Sequence, residues 1–317
     1  EITAAAGGTL TLNGTVNGAT RALTIDGPGT VTLAAGANGL SSVTQLAGST
    51  LNLGASQSIV TSGVQTYLGT LRGANATLRS TGGGAVSAAG SANHFTGTLT
   101  LDTTGPASLA GHFGSLNAHT GALSLGATTV DSNAAIIASG TIGQTAALVV
   151  GGTTTLDAGA NAITLGNAGN DFGGAVSATG GTATLRDANA LDVALHTGAT
   201  TLDAASLSAS GTASSLLATT TGALTSSVGT TGDATYHAGG ALVFGTSSIG
   251  GNLNATAAGP VSQTGALAVT GTATVDAGSQ AVTLAEANRI GGLFSVTTTG
   301  PASLAGHFGS LNAHTGA

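Results

Sequence analysis

TTGPASLAGHFGSLNAHTGA, residues 103–122, returns without a single change at residues 298–317, 195 positions later. A 20-residue identity inside one chain marks a repeat architecture, so the period of the repeats decides the fold. A shorter motif precedes each copy: Asn93-His-Phe95-Thr-Gly97 and Asn288-Arg-Ile290-Gly-Gly292, with a third version at Asn170-Asp-Phe172-Gly-Gly174. TTTLDAGANAITL (153–165) is echoed by TATVDAGSQAVTL (272–284), 119 residues on. With coils of about 19–20 residues, these offsets correspond to about four, six and ten coils of a β-helix.

The residues between these landmarks read as strand. Thr, Leu, Val and Ile alternate and are closed by Gly or Asn, as in TLTLNG (9–14), TVTLAAG (30–36), TLNLGA (50–55), TLTLD (98–102) and AITLGN (162–167). Straight-chain helix formers are scarce: Glu occurs twice, Gln six times and Lys never. In a parallel solenoid each strand stacks on the next coil about 4.8 Å away. Apolar residues then fill the interior, while Thr and Ser suit the outside. The expectation is an all-β fold: a right-handed parallel β-helix (β-solenoid) of about 16 coils, forming one continuous repeat domain over residues 1–317.

Composition removes most other classes. Charged residues are 5% and the formal net charge is −7. The basic residues are Arg21, Arg72, Arg79, Arg186 and Arg289, too few and too scattered for nucleic acid. No Cys is present, which excludes disulfides and thiolate metal sites. A mean hydropathy of +0.37 argues against disorder. Apolar runs such as residues 146–150 are far too short for a membrane helix. Aromatics at 3% cannot supply the girdles of an outer-membrane barrel. Residues 1–14 lack a basic segment and an apolar run, so no signal peptide is read there.

The run GNAGNDFGGAVSATGGTATLRDANAL (166–191) resembles repeats of large bacterial surface adhesins of the filamentous-haemagglutinin type. The same style of repeat covers essentially the whole chain. That resemblance implies a right-handed parallel β-helix, export to the cell surface, and a role in attachment, cell–cell contact or biofilm formation. The partners it implies are a host or neighbouring-cell surface, or copies of the chain in a fibre. The family's N-terminal secretion domain is not recognisable here. A β-helix enzyme acting on polysaccharide is the alternative.

Candidate chemistry rests on acids and histidines. Six of the ten Asp residues end a Thr-[Leu/Ile/Val]-Asp triplet: Asp26, Asp102, Asp131, Asp157, Asp203 and Asp276. Such an Asp can bond its own backbone two residues on and start a turn, so these carboxylates are expected at strand ends and at the surface. Asp187 and Asp192 beside Arg186 are read as turn and surface residues. Asp171, Asp187 and Asp203, 16 apart, could stack into a calcium column. His112 and His119, repeated as His307 and His314, could meet around a corner over a metal, although no carboxylate is near in sequence. They and His94, His196 and His237 are otherwise read as polar corner residues. Phe95, Phe113, Phe172 and Phe308, with Ile290, are expected inside. Thr-x-Thr triplets at 9–11, 30–32, 98–100, 182–184 and 272–274 are too irregular for an unbroken ice-binding array. Asn13, Asn75 and Asn254 sit in Asn-x-Thr sequons. No catalytic, cofactor or metal-ligating residue is assigned. The natural chain is expected to continue beyond Ala317, because Ala122 of the first copy runs directly into the next strand sequence, Leu123-Ser-Leu125.

Overall fold

A computed structural model describes residues 1–316. The strands pair in parallel and stack in about 16 turns of a β-solenoid. The chain divides into two compact units, Glu1–Gly174 and Ala175–Ala317.

In the first unit the alternation of the sequence becomes two sets of vertical ladders. Thr30–Leu33 is typical, with Val31 and Leu33 buried and the two threonines on the outer side. One interior ladder runs Leu12, Leu33, Leu53, Gly73, Phe95, Phe113, Val130, Val150 and Phe172. Each buried side chain of this size contributes about 1.5–3 kcal/mol by leaving water. Gly73 fits the ladder because a Cβ there would stand 2.6 Å from the Leu53 carbonyl oxygen and 3.2 Å from the Phe95 ring. Phe95 and Phe113 then stack with centroids 6.2 Å apart.

The second unit repeats the plan. Leu191, Leu207, Leu224, Leu242, Val261 and Val282 form one interior ladder. Leu185, Leu202, Ala218, Tyr236, Ala255, Val275 and Val296 form another. Ala218 and Ala255 make room for the tyrosine ring between them, and the hydroxyls of Tyr236 and Ser226 bond at 3.1 Å. Coils here depart from the expected 19–20 residues. Val193 stacks on Ala209, 16 positions on, because a corner shrinks to the single residue Ala205 between the strands Ala190–Ala204 and Ser206–Ala213.

The two tyrosines give the fold an alkaline limit. Burial pushes the Tyr236 hydroxyl from 10.0 up to about 12, partly opposed by its bond with Ser226. Burial also raises Tyr67 well above 10.0, while its hydroxyl donates to Gln65 Oε1 at 2.7 Å. A folded-state value above the unfolded one means that the unfolded chain loses the proton first. This contribution is therefore intact below about pH 10 and is lost as pH rises toward 12. Ultraviolet titration should show phenolate absorbance appearing together with loss of the β-sheet circular dichroism signal. Phenolate formed near pH 10 with the fold intact would contradict these burials.

Candidate functional site

The Asn-x-[Phe/Ile]-x-Gly motif builds an internal clamp. Asn93, Asn170 and Asn288 are all buried. Their Oδ1 atoms accept the backbone N–H of Leu71, Leu148 and Leu267 at 2.8–2.9 Å. Their Nδ2 groups donate to Ala88, Leu165 and Leu284 carbonyls at 2.9–3.0 Å. Each clamp therefore ties its own coil to the one before. Two are reinforced by a glutamine in a reciprocal amide pair. Gln144 Nε2 donates to Asn170 Oδ1 at 2.7 Å and Asn170 Nδ2 returns a bond of 2.9 Å. Gln263 and Asn288 do the same at 3.0 Å in both directions. Gln-Thr at 144–145 and 263–264 is the sequence signal for this pair, and its meaning emerges only when the coils stack. Beside the first clamp, Gly111 has φ +134°, and an added Cβ would fall 2.5 Å from the Asn93 carbonyl oxygen. Gly306 repeats the arrangement at φ +136°.

All six triplet Asp residues lie at or within one residue of a strand end, and none is buried. They divide into two duties. Asp157 and Asp276 each accept the N–H of the glycine two residues on at 2.9 Å, and Asp26 accepts from Gly27 at 2.6 Å. The glycines Gly27, Gly159 and Gly278 have φ of +86°, +56° and +58°, so a turn forms there without Cβ strain. Asp102, Asp131 and Asp203 lack such a glycine and reach back one coil instead. Asp102 pairs with Arg79 Nε at 3.1 Å, Asp203 with Arg186 Nε at 3.2 Å, and Asp131 with His112 Nε2 at 2.6 Å.

Several expectations need correction. Asp187 is buried, not a surface residue; its carboxylate accepts the Asn189 N–H at 2.7 Å. Asp203 stacks between Arg186 and Thr219, and Asp187 lies one residue off that register, its N–H donating to the Asp203 carbonyl at 2.9 Å, so the two acids do not share a column. The seven histidines lie in strands rather than corners, because the outer side of a pleated strand accepts a polar ring. His112 and His119 are engaged by different neighbours. His112 meets Asp131 and packs edge-on against His94, with centroids 5.0 Å apart. His119 Nδ1 lies 3.9 Å from Asp102 Oδ1. Carboxylates distant in sequence are thus adjacent in space, one coil away. Phe95, Phe113, Phe172 and Ile290 are buried as expected, whereas Phe308 is half-buried. The threonines Thr9, Thr30, Thr50 and Thr70 stack in register, but the column two residues along passes from Thr11 and Thr32 to Asn52 and Arg72. Asn75 of the second sequon has its amide engaged: Oδ1 accepts from Thr98 N at 2.8 Å and Nδ2 donates to Ser56 at 3.2 Å.

One outer surface of the first unit combines two columns. Thr77, Thr100, Asn117 and Ala135 form one; Arg79, Asp102, His119 and Ile137 form the other. Together they line an open hollow of about 440 Å³. The strands Ala76–Ser80, His94–Thr103, Ala107–Thr120 and Ala134–Ala138 supply the rungs. The Arg79 and Asp102 side chains are 54% and 39% exposed, so water screens the pair and it contributes at most about 1 kcal/mol. Asp102→Asn should accordingly leave thermal unfolding nearly unchanged. A loss of several kcal/mol in denaturant titrations would show that the pair holds the coils together.

The second unit carries the same two columns with different contents. Thr184, Thr201, Leu217 and Thr235 form the first; Arg186, Asp203, Thr219 and His237 form the second. Ala-Thr-Leu-Arg at 76–79 and 183–186, each followed one coil later by Thr-Leu-Asp, produces the Arg–Asp pair in both units. Beyond that pair the first unit presents Asn117 and His119, where the second presents Leu217 and Thr219.

No curated protein matches the chain, and no solved structure matches it. Residues 110–179 and 231–297 match a family profile described as repeats of unknown function (DUF5649). Each matched stretch contains one complete set of the features above: the glutamine–asparagine amide pair and the Asp-Ala-Gly turn.

Proposed function

We propose that this chain is a structural and adhesive segment of a bacterial surface filament, which presents its outer sheet faces to a host cell, a neighbouring cell or further copies of itself. The observation that carries this reading is the use made of the polar side chains. Buried asparagines and the glutamines bonded to them clamp coil to coil, and the six triplet carboxylates either close turns or pair with an arginine or histidine of the preceding coil. These groups serve the stacking of the repeat, while the outer columns offer a long, firmly held polar surface. Polysaccharide cleavage by a β-helix commonly requires two carboxylates facing one glycosidic bond. The hollow in the first unit instead sets Asp102 between Arg79 and His119.

The test is attachment by the purified chain. Beads coated with it should bind to cells or to one another above the level of albumin-coated beads. Absence of both would overturn the reading. So would release of reducing ends from a polysaccharide by the wild-type chain that is lost in Asp102→Asn.

A further inference from the structure

We infer that the hollow over Arg79, Asp102, Asn117 and His119 is a binding site for a short neutral oligosaccharide segment of a surface glycan; this rests on the adhesive reading above and assigns it a ligand class and a location. The argument begins with charge. Arg79 and Asp102 form a pair at 3.1 Å, so the site offers neither a lone cation for an anionic ligand nor a lone carboxylate for a cationic one. It offers donors and acceptors side by side. Arg79, Asn117, His119, Thr77 and Thr100, each carrying a donor or acceptor, line the same space. A hydroxyl is both donor and acceptor, and a ring bearing several hydroxyls matches such a mixed set better than a purely anionic or cationic group does. Ile137, 49% exposed one rung beyond His119, adds an apolar surface for the C–H face of a sugar ring. Successive rungs about 4.8 Å apart spread Arg79, Asp102, His119 and Ile137 over about 14 Å, the length of a short oligosaccharide, with strands rather than mobile loops holding them.

The second unit supplies an internal comparison. It keeps the Arg–Asp pair and the two threonines but sets Leu217 and Thr219 where Asn117 and His119 stand. The double substitution Asn117→Leu with His119→Thr therefore installs residues that this fold already carries in the same register. It removes the amide and the imidazole without threatening the coil.

The experiment places the labelled full chain on a panel of immobilised neutral oligosaccharides, with carboxylated and sulfated ones alongside. At least one neutral oligosaccharide should retain the wild-type chain, in high salt as in low. Retention should fall at least tenfold in the double variant, with its circular dichroism and melting unchanged. Binding confined to anionic oligosaccharides would overturn the proposal, as would equal binding by the variant or no retention on the panel. Coated beads run in parallel separate the two readings. If beads carrying the double variant attach to cells as strongly as wild type and the panel stays blank, adhesion stands and this site falls. If the panel shows the expected loss while wild-type beads attach to nothing, the site stands and the adhesive reading falls.

Discussion

Asn170→Leu should destabilise the first unit by about 3–6 kcal/mol, because three bonded groups lose their partner together. The Leu148 N–H, the Leu165 carbonyl and the Gln144 carboxamide all bond to this one side chain. Leaving a buried polar group unsatisfied costs about 1–3 kcal/mol. Leucine has similar bulk and returns none of the bonds. Denaturant titration should show the loss, and hydrogen exchange should show the Leu148 amide deprotected before the surrounding ladder. Asn13→Ala, at an exposed position, serves as control and should stay within about 0.5 kcal/mol of wild type. A loss below 1 kcal/mol for Asn170→Leu would mean that the clamp is not what binds successive coils.

Phe113→Ala and Phe308→Ala alter the same residue of an identical 20-residue sequence, yet they should differ severalfold. Phe113 is fully buried, stacked on Phe95 in the preceding coil and covered by Val130 in the next. Its truncation removes apolar burial and leaves a cavity that neighbouring coils cannot fill, at about 3–5 kcal/mol. Phe308 lies over Ile290 and beside Phe294, with ring centroids 5.0 Å apart, and remains partly open to water. Its truncation forfeits only part of a buried side chain, about 1 kcal/mol. Both variants can be compared by denaturant unfolding of the same 317-residue chain. Equal losses would mean that Phe308 is packed as fully as Phe113, contrary to their burial.

The contrast between these two copies shows where reading the residues works. Alternation of Thr with Leu, Val and Ile reports which side of each strand faces inward, because the period of a strand is two. Phe95, Phe113, Phe172 and Ile290 follow that rule. Phe308, in the last described strand, Ala302–His314, stacks on Ile290 of the preceding coil and is half-buried. The Thr-[Leu/Ile/Val]-Asp triplets were equally legible as strand ends. Their division into turn makers and cross-coil partners was partly visible in the following residues: Gly27, Gly159 and Gly278 mark the turns. The partners of Asp102, Asp131 and Asp203 were hidden, since Arg79, His112 and Arg186 lie one coil earlier in the chain.

By itself the amino-acid sequence determined the all-β class, the parallel coil, the approximate number of turns and the inward apolar ladders, all of which follow from local periodicity and repeat spacing. Tertiary structure decided everything that depends on register between coils. It made Asn93, Asn170 and Asn288 into clamps, joined Gln144 and Gln263 to two of them, and buried Asp187. It also set Arg79, Asp102, Asn117 and His119 around one hollow. The physical reason is that coil lengths vary with the size of each corner, from 16 residues between Val193 and Ala209 to 23 between Arg79 and Asp102. A shift of one residue would turn every side chain of a strand to the opposite face. Which outer residues become neighbours is therefore fixed only when the backbone ladder closes.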